Sequence, residues 1–329
     1  MLYNKLIKPL SQKELVVIGY KFFLFFITGI FNYLLVYLNL EGIIVPIFEL
    51  FKEEGFNMPY CKVRQADIYY EDIGKGKPIL MIHGYTPDHR LMSGCMEPIF
   101  TKRDGWRRIY IDLPGMGVTK NYDEISCSDE MLNAVLDFIQ EVLPDQEYII
   151  AGESYGGYIA RGLIEKQKER ILGAAFICPV IIPLSENRAV EKHRILKTDD
   201  RFIEILSKEE LEHFKSNQVV LDEYNWLRYK NEIVAGCKIA DEKFLNRVRN
   251  KYEFSFKVDQ YNFDKPSVFL LGRQDSSVGY KDALNILHKY PRGTFTVLDT
   301  AGHNLQIEQP QLFNTLVNEW LDRIEEFYN

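Results

Sequence analysis

From residue 59 onward, short apolar runs take turns with longer stretches in which apolar residues recur at helical spacing. The apolar runs predict strands over residues 60–63, 68–71, 78–82, 108–111, 148–151, 172–178, 266–271 and 294–298. The helical spacing predicts helices over residues 91–100, 129–142, 155–166 and 311–327. Strands that alternate with helices of this length indicate an α/β fold, with a mostly parallel sheet that carries helices on both faces.

The alternation stops between residues 182 and 258, where the sequence is charged and helical in pattern. Ser207 and Glu210 have the spacing of a capping box, and Asp241 precedes a second run of apolar residues at helical spacing. The pattern therefore predicts a helical cap inserted into an α/β core made of residues 58–181 and 259–329.

Residues 1–57 differ from everything that follows them. The stretch from 15 to 40 is apolar and aromatic with few exceptions, and its uncharged part, residues 22–38, has the minimum length of a membrane-spanning helix. One hypothesis is a membrane anchor, for which the lysines before it would place the N-terminus in the cytoplasm. The other is an added extension before a functional protein that begins at Met58. The location, cytoplasmic or membrane-anchored, stays open between them.

Composition narrows the partners, compartments and cysteine chemistry that can be expected of the protein. The chain has 329 residues and a formal net charge of -7, with both signs spread along its length, so a nucleic-acid partner is not expected. The cysteines are five in number, widely spaced and without a Cys-x-x-Cys pair, which predicts reduced, mostly buried thiols of a cytosol-like compartment. Neither a disulfide framework nor a zinc site is expected of these residues, which are Cys61, Cys95, Cys127, Cys178 and Cys237.

One short motif carries candidate chemistry. Gly152-Glu153-Ser154-Tyr155-Gly156 lies between a predicted strand and a predicted helix. That context is typical of a nucleophile elbow, in which a strained turn exposes the serine hydroxyl. Gly152 and Gly156 fit this interpretation because neighbouring backbone comes close to such a turn. An ordinary glycine-containing turn is the alternative for the motif taken alone.

A serine hydroxyl needs a histidine as base and a carboxylate that orients the histidine. His303 lies in a loop between the last predicted strand and the last helix, where open α/β sheets place their active sites. The alternative for His303 is a buried structural histidine. Asp275 follows a buried strand and completes the chain order serine, acid, histidine, which favours it over Asp264 and Asp282.

Two further strand ends contribute to the predicted site. Acyl transfer needs two preorganised donors for the oxyanion, and we assign them to the backbone N–H groups of Tyr85 and Tyr155. His83, two residues before Tyr85, is expected to stabilise the loop and not to act as a base. The glycine loop 112–117 lacks the ending of a phosphate-binding loop, so we expect it to supply turn geometry near the site.

Taken in order, His83-Gly84-Tyr85, the loop 112–117, the Ser154 elbow, Asp275 and Gly302-His303 resemble the α/β-hydrolase family over residues 59–329. The resemblance implies an eight-stranded sheet with a helical cap inserted after the sixth strand. The serine makes the chain similar to the esterases and C–C hydrolases of the family, and not to the members that use aspartate. Asn304 stands where the hydrolases of ring-fission products often carry tryptophan. The elbow is also similar to that of serine carboxypeptidases, but the chain is short and has few cysteines for that branch.

The sequence therefore predicts a capped serine hydrolase that acts on an ester, thioester or similar acyl bond of a small, partly apolar substrate. It needs no cofactor and no metal. A C–C bond hydrolase or a proline-iminopeptidase-like enzyme with the same three residues is the alternative among enzymes. A non-catalytic module that binds a small molecule is the alternative from another class, because hydrolase folds are reused as receptors.

Overall fold

A computed structural model describes residues 37–40, 43–46 and 60–328. Strands β1 (Tyr37–Leu40) and β2 (Ile43–Pro46) pair in antiparallel fashion. The proposed anchor over residues 15–40 lies outside the described residues except for β1. In the part of the chain that is described, no helix has both the length and the apolar character needed to cross a bilayer. The described residues 60–328 belong to one compact unit.

The unit is built around an eight-stranded sheet. Its strands are β3 (Tyr60–Val63), β4 (Ala66–Gly74), β5 (Lys77–Ile82), β6 (Trp106–Ile111), β7 (Tyr148–Glu153), β8 (Ile171–Ile177), β11 (Ser267–Gly272) and β12 (Gly293–Leu298). They lie in the order β12-β11-β8-β7-β5-β6-β4-β3. All neighbouring strands from β12 to β6 run parallel, whereas β4 pairs antiparallel with both β6 and β3. This arrangement confirms the predicted α/β class and the mostly parallel sheet of eight strands.

Helices connect these strands. Each of the longer helices buries one apolar side against the sheet, as Phe313, Val317 and Trp320 do in the last one. The helices of the core are α1 (His89–Phe100), α2 (Ser128–Val142), α3 (Tyr155–Gln167), α9 (Lys281–Asn285), α10 (Leu305–Glu308) and α11 (Pro310–Tyr328). Single 3-10 turns lie at Lys168–Arg170, Ser185–Asn187 and Leu287–Lys289.

The segment between β8 and β11 follows the sixth strand of the main sheet in chain order, and most of its regular elements are helices. The predicted capping box at Ser207 and Glu210 is formed, and Asp241 caps the helix that begins after it. The elements of the segment are β9 (Lys197–Thr198), α4 (Asp200–Ile203), α5 (Lys208–Asn217), β10 (Val220–Leu221), α6 (Glu223–Tyr229), a π-helix (Lys230–Val234), α7 (Ala235–Cys237) and α8 (Glu242–Arg249).

Some strands extend beyond their predicted bounds for a reason that lies in the tertiary structure. β4 continues to Gly74 because residues 70–74 pair with β6, which itself begins at Trp106. The polar residues at this end of the ladder hide the strand pattern, yet Arg107 is paired with Asp72 at 2.7 Å. All five cysteines are free, as the sequence predicts, and three of them are buried.

Candidate active site

Ser154 lies in the turn between β7 and α3, with a backbone φ of 51°. This left-handed conformation is strained for a residue with a side chain. The turn is held because the Ser154 N–H donates to the carbonyl of Ile177 at 2.9 Å. A Cβ on Gly152 would overlap the backbone of Gly156, and one on Gly156 would overlap the carbonyl oxygen of Ile82. The sequence therefore needs glycine at both positions to bring Ser154 to the carboxyl end of the sheet.

His303 and Asp275 lie on the two loops that follow β12 and β11. His303 Nε2 is 3.0 Å from Ser154 Oγ, and His303 Nδ1 is 2.9 Å from Asp275 Oδ2. The other carboxylate oxygen of Asp275 accepts the N–H groups of Ser277 at 2.8 Å and Val278 at 3.0 Å. The three side chains that the sequence singled out are thus brought into one line of hydrogen-bond contacts.

Burial and neighbouring charged groups shift the pKa values of Asp275 and His303 in opposite directions. Burial disfavours the charged form of Asp275, but His303 and the N–H groups of Val278 and Ser277 hold the pKa of the carboxyl below its ordinary value. Burial also opposes a charge on His303, but the carboxylates of Asp275 and Glu153 raise the pKa of the imidazole to about 9. Asp275 therefore stays ionised and attracts the positive charge that His303 acquires when it takes a proton.

Tyr85 and Tyr155 are the residues whose backbone N–H groups the sequence assigns to the oxyanion. Tyr155 is the first residue of α3, so its N–H is one of those that a helix leaves without an internal partner. Tyr85 follows Gly84, where a Cβ would come within 3.2 Å of Ser154 Cβ, so the loop after β5 passes directly beside the serine. The rings of Tyr85 and Tyr155 pack edge to face at 5.1 Å. Both backbone positions are therefore close to Ser154.

His83 and Asp112 make hydrogen bonds that hold the loops after β5 and β6. His83 is fully buried, accepts the N–H of Leu113 at 3.0 Å through Nε2, and contacts the carbonyl of Gly84 at 2.7 Å through Nδ1. It bridges the loops after β5 and β6, which confirms the loop-stabilising role expected of it. Asp112 accepts the N–H of His89 at 2.8 Å and that of Val118 at 2.9 Å.

Two buried glutamates of the site were missed by the sequence reasoning. Glu153 Oε1 lies 3.4 Å from His303 Nε2 and burial raises the pKa of its carboxyl to about 8. Glu308 accepts the N–H groups of Gly302 and Val219, and burial raises its pKa to about 7. A charged residue at the end of an otherwise apolar strand was a signal for Glu153. Glu308 had no such signal in the sequence.

Among the residues that the structure describes, two groups of side chains lie close enough together to share a metal ion, namely Cys178 with Asp275 and His303, and Asp88 with His89 and Asp112. In the first group His303 Nδ1 is engaged by Asp275, and burial raises the pKa of the Cys178 thiol well above its ordinary value. In the second, His89 Nδ1 is engaged by Asp112 at 2.8 Å. In each group an imidazole–carboxylate contact therefore already joins two of the atoms that an ion would have to bind.

Comparison with known proteins shows the family to which the chain belongs. A family model described as alpha/beta hydrolase fold matches residues 77–310, which include Ser154, Asp275 and His303. A solved alpha/beta superfamily hydrolase from Oenococcus oeni PSU-1 is 32% identical, with a TM-score of 0.74 and coverage of 82% of this chain and 100% of that chain.

Two more distant proteins match over most of their length. The AB hydrolase superfamily protein YisY of Bacillus subtilis (strain 168) is 22% identical over 281 residues, which are 79% of this chain and 98% of that protein. A thermophilic esterase from Thermogutta terrifontis is 19% identical, with a TM-score of 0.59 and coverage of 81% of this chain and 97% of that chain. The chain is therefore an enzyme of the alpha/beta hydrolase fold family.

Proposed function

We propose that this enzyme is a serine hydrolase that cleaves an ester, thioester or similar acyl bond of a small, partly apolar molecule. The observation that carries the proposal is the line of contacts from Ser154 Oγ through His303 to Asp275, at 3.0 Å and 2.9 Å. A serine in the left-handed conformation at a strand-to-helix turn, with an imidazole in reach, has the arrangement that nucleophilic acyl transfer requires.

In the proposed reaction, Ser154 Oγ attacks the acyl carbon while its proton passes to His303 Nε2. Asp275 holds the Nδ1–H of the imidazole and stabilises the imidazolium. The same proton then goes to the leaving group, whose bond to the acyl carbon breaks, and an acyl-enzyme remains on Ser154. Water attacks this ester with His303 again as base, which releases the acid and restores the serine.

The negative oxygen of each tetrahedral intermediate needs donors that are in place before the reaction. In our proposal these are the backbone N–H groups of Tyr85 and Tyr155. The position of Tyr155 at the start of α3 supports it, because the N-terminal end of a helix carries partial positive charge. Gly84 supports it as well, since a Cβ there would overlap the Glu153 carboxylate and come within 3.2 Å of Ser154 Cβ, so the loop that carries Tyr85 passes beside the serine.

The test is a reaction panel combined with covalent labelling. The panel contains p-nitrophenyl esters of increasing acyl length, a thioester, a peptide and a vinylogous diketone. We expect turnover of the activated esters and labelling by a fluorophosphonate probe, with the added mass on the peptide that contains Ser154. Turnover of the diketone alone would favour a C–C hydrolase, and turnover of the peptide alone a peptidase. A folded protein that neither turns over nor takes the label would contradict the proposal and favour a binding module.

A further inference from the structure

Glu153 is a carboxylate to which the proposed mechanism assigns no role. It is the last residue of β7, directly before Ser154, and only 2% of it is exposed. Its Oε1 lies 3.4 Å from Nε2 of His303, the nitrogen that also contacts Ser154. Asp275 contacts Nδ1, the other nitrogen of the ring. The imidazole therefore has a buried carboxylate at each of its two nitrogens.

The surroundings keep Glu153 in this position. A Cβ on Gly84 would overlap the Glu153 carboxylate, so the loop after β5 packs directly on it. Three thiols face Glu153 from α1, from the end of β8 and from α7, and burial raises the pKa of each; they are Cys95, Cys178 and Cys237. Two charged groups on other elements interact electrostatically with His303. Arg188 lowers the pKa of His303, and His303 lowers the pKa of Glu308. Among these described groups, His303 is the cation that faces Glu153 directly.

Nε2 has a single lone pair, and two groups compete for it. Ser154 can lose its proton only when that lone pair is free. A proton on Nε2 would instead be attracted by Glu153, and a proton on Glu153 would be donated towards Nε2. An ionised Glu153 without a proton in this contact would be a buried negative charge next to that of Asp275.

We propose that Glu153 and His303 hold one proton between them at neutral pH, and that Ser154 becomes a nucleophile only after this proton has left to solvent. The proposal rests on the serine-hydrolase function argued above. Glu153 is then a positioning residue that acts through His303 and sets the pH at which the enzyme works.

The electrostatics agree with the geometry. Burial raises the pKa of Glu153, and the flanking carboxylates, acting against burial, raise that of His303, so each shift favours keeping a proton in the contact. Two groups that interact this strongly titrate as a pair. The shared proton is therefore retained at pH 7 and lost under alkaline conditions, so kcat/KM should rise as pH increases through this range.

The first experiment measures kcat/KM for p-nitrophenyl acetate from about pH 6 to about pH 10, where the acid limb reports the free enzyme. We expect Glu153→Gln to move this limb by about one to three pH units towards lower pH, because a carboxylate near Nε2 no longer favours the protonated imidazole. At pH 7 the variant should be about tenfold faster or more. Glu169→Gln is the matched control, since it removes one negative charge from a side chain that is 85% exposed. It should leave the limb in place.

Glu153→Asp gives a second variant that keeps the charge on a side chain one methylene shorter. We expect its limb to lie between those of the wild type and Glu153→Gln. It also serves if the glutamine variant does not fold. An acid limb that is unchanged in the folded variants at position 153, or that moves equally in Glu169→Gln, would overturn the proposal.

A titration of the His303 imidazole by NMR separates this proposal from the function on which it rests. The signal is assigned by its loss in His303→Gln, and no turnover is needed to read it. We expect His303 to titrate at lower pH in Glu153→Gln than in the wild type, and equal titration would refute the shared proton. If His303 titrates as expected but Ser154 neither reacts nor takes a fluorophosphonate label at any pH, the serine-hydrolase function is wrong while the shared proton stands.

Discussion

Arg161 joins both ends of the segment inserted between β8 and β11 to helix α3. Its guanidinium is 3% exposed and donates to the carbonyls of Val180 at 2.8 Å and Ile181 at 3.1 Å, near the start of the segment. Its Nε donates to Asp259, near the end of the segment, at 3.0 Å, and Nη2 contacts the same carboxylate oxygen. Arg161→Leu should therefore destabilise the unit strongly, because it leaves a buried carboxylate and two carbonyls without this partner.

The magnitude follows from these contacts. Removing one partner of a buried ion pair costs about 3–5 kcal/mol, because the other charge stays buried. Each carbonyl that loses its donor adds a further penalty that is not simply additive. We expect the free energy of unfolding of Arg161→Leu to fall by about 4 kcal/mol or more, which for a domain of this size lowers Tm by about 10 °C.

Denaturant unfolding with linear extrapolation measures the change. Arg161→Lys should be intermediate, since a lysine keeps the charge but cannot bind three acceptors with one planar group. Arg161→Leu combined with Asp259→Leu should recover part of the loss, because no charge is left unpaired. Arg64→Leu is the control, because Arg64 is 77% exposed in its pair with Asp137 and should change stability little. A loss below about 1 kcal/mol in Arg161→Leu would refute the reasoning.

Three further predictions follow from other parts of the chain. Gly156→Ala should prevent folding, as read by soluble yield and circular dichroism, because the added Cβ would overlap the carbonyl oxygen of Ile82. Burial raises the pKa of Glu308 from 4.5 to about 7, so its ionisation weakens folding as pH rises between these values. The stability of the wild type relative to Glu308→Gln should therefore fall by about 1–3 kcal/mol from pH 5 to pH 8, measured by urea unfolding. Residues 58–329 expressed alone should keep the kcat/KM of the full chain, and a smaller share should enter the membrane pellet if residues 15–40 are an anchor; a soluble but inactive truncated protein would contradict this.

The sequence was sufficient to predict the fold because each buried strand is a short apolar run with turn residues on either side of it. The same runs located Ser154, Asp275 and His303, since each of them follows a strand of the parallel sheet. Strand bounds were less accurate where β4 and β6 pair through charged residues, because Arg107 and Asp72 satisfy one another only once the strands are side by side.

Glu153, Glu308 and Arg161 could not be assigned from the sequence. Glu153 acts on an imidazole 150 positions away in the chain, and Arg161 on a carboxylate that is 98 positions away. Nothing in the periodicity of a chain records such pairs, because they depend on how the helices and loops pack against each other in the folded protein. The sequence predicted a histidine and an acid for Ser154, since that requirement is chemical and each has a recognisable place after a strand.

The turnover of Ser154→Ala tests the central claim most directly. If Ser154, His303 and Asp275 act as a unit, Ser154→Ala and His303→Ala should each lower kcat on the best ester of the panel by on the order of a thousandfold or more. The variant with both changes should be little slower than either one, and circular dichroism should show that all three are folded. A folded Ser154→Ala that keeps more than about a tenth of the wild-type kcat would contradict the account.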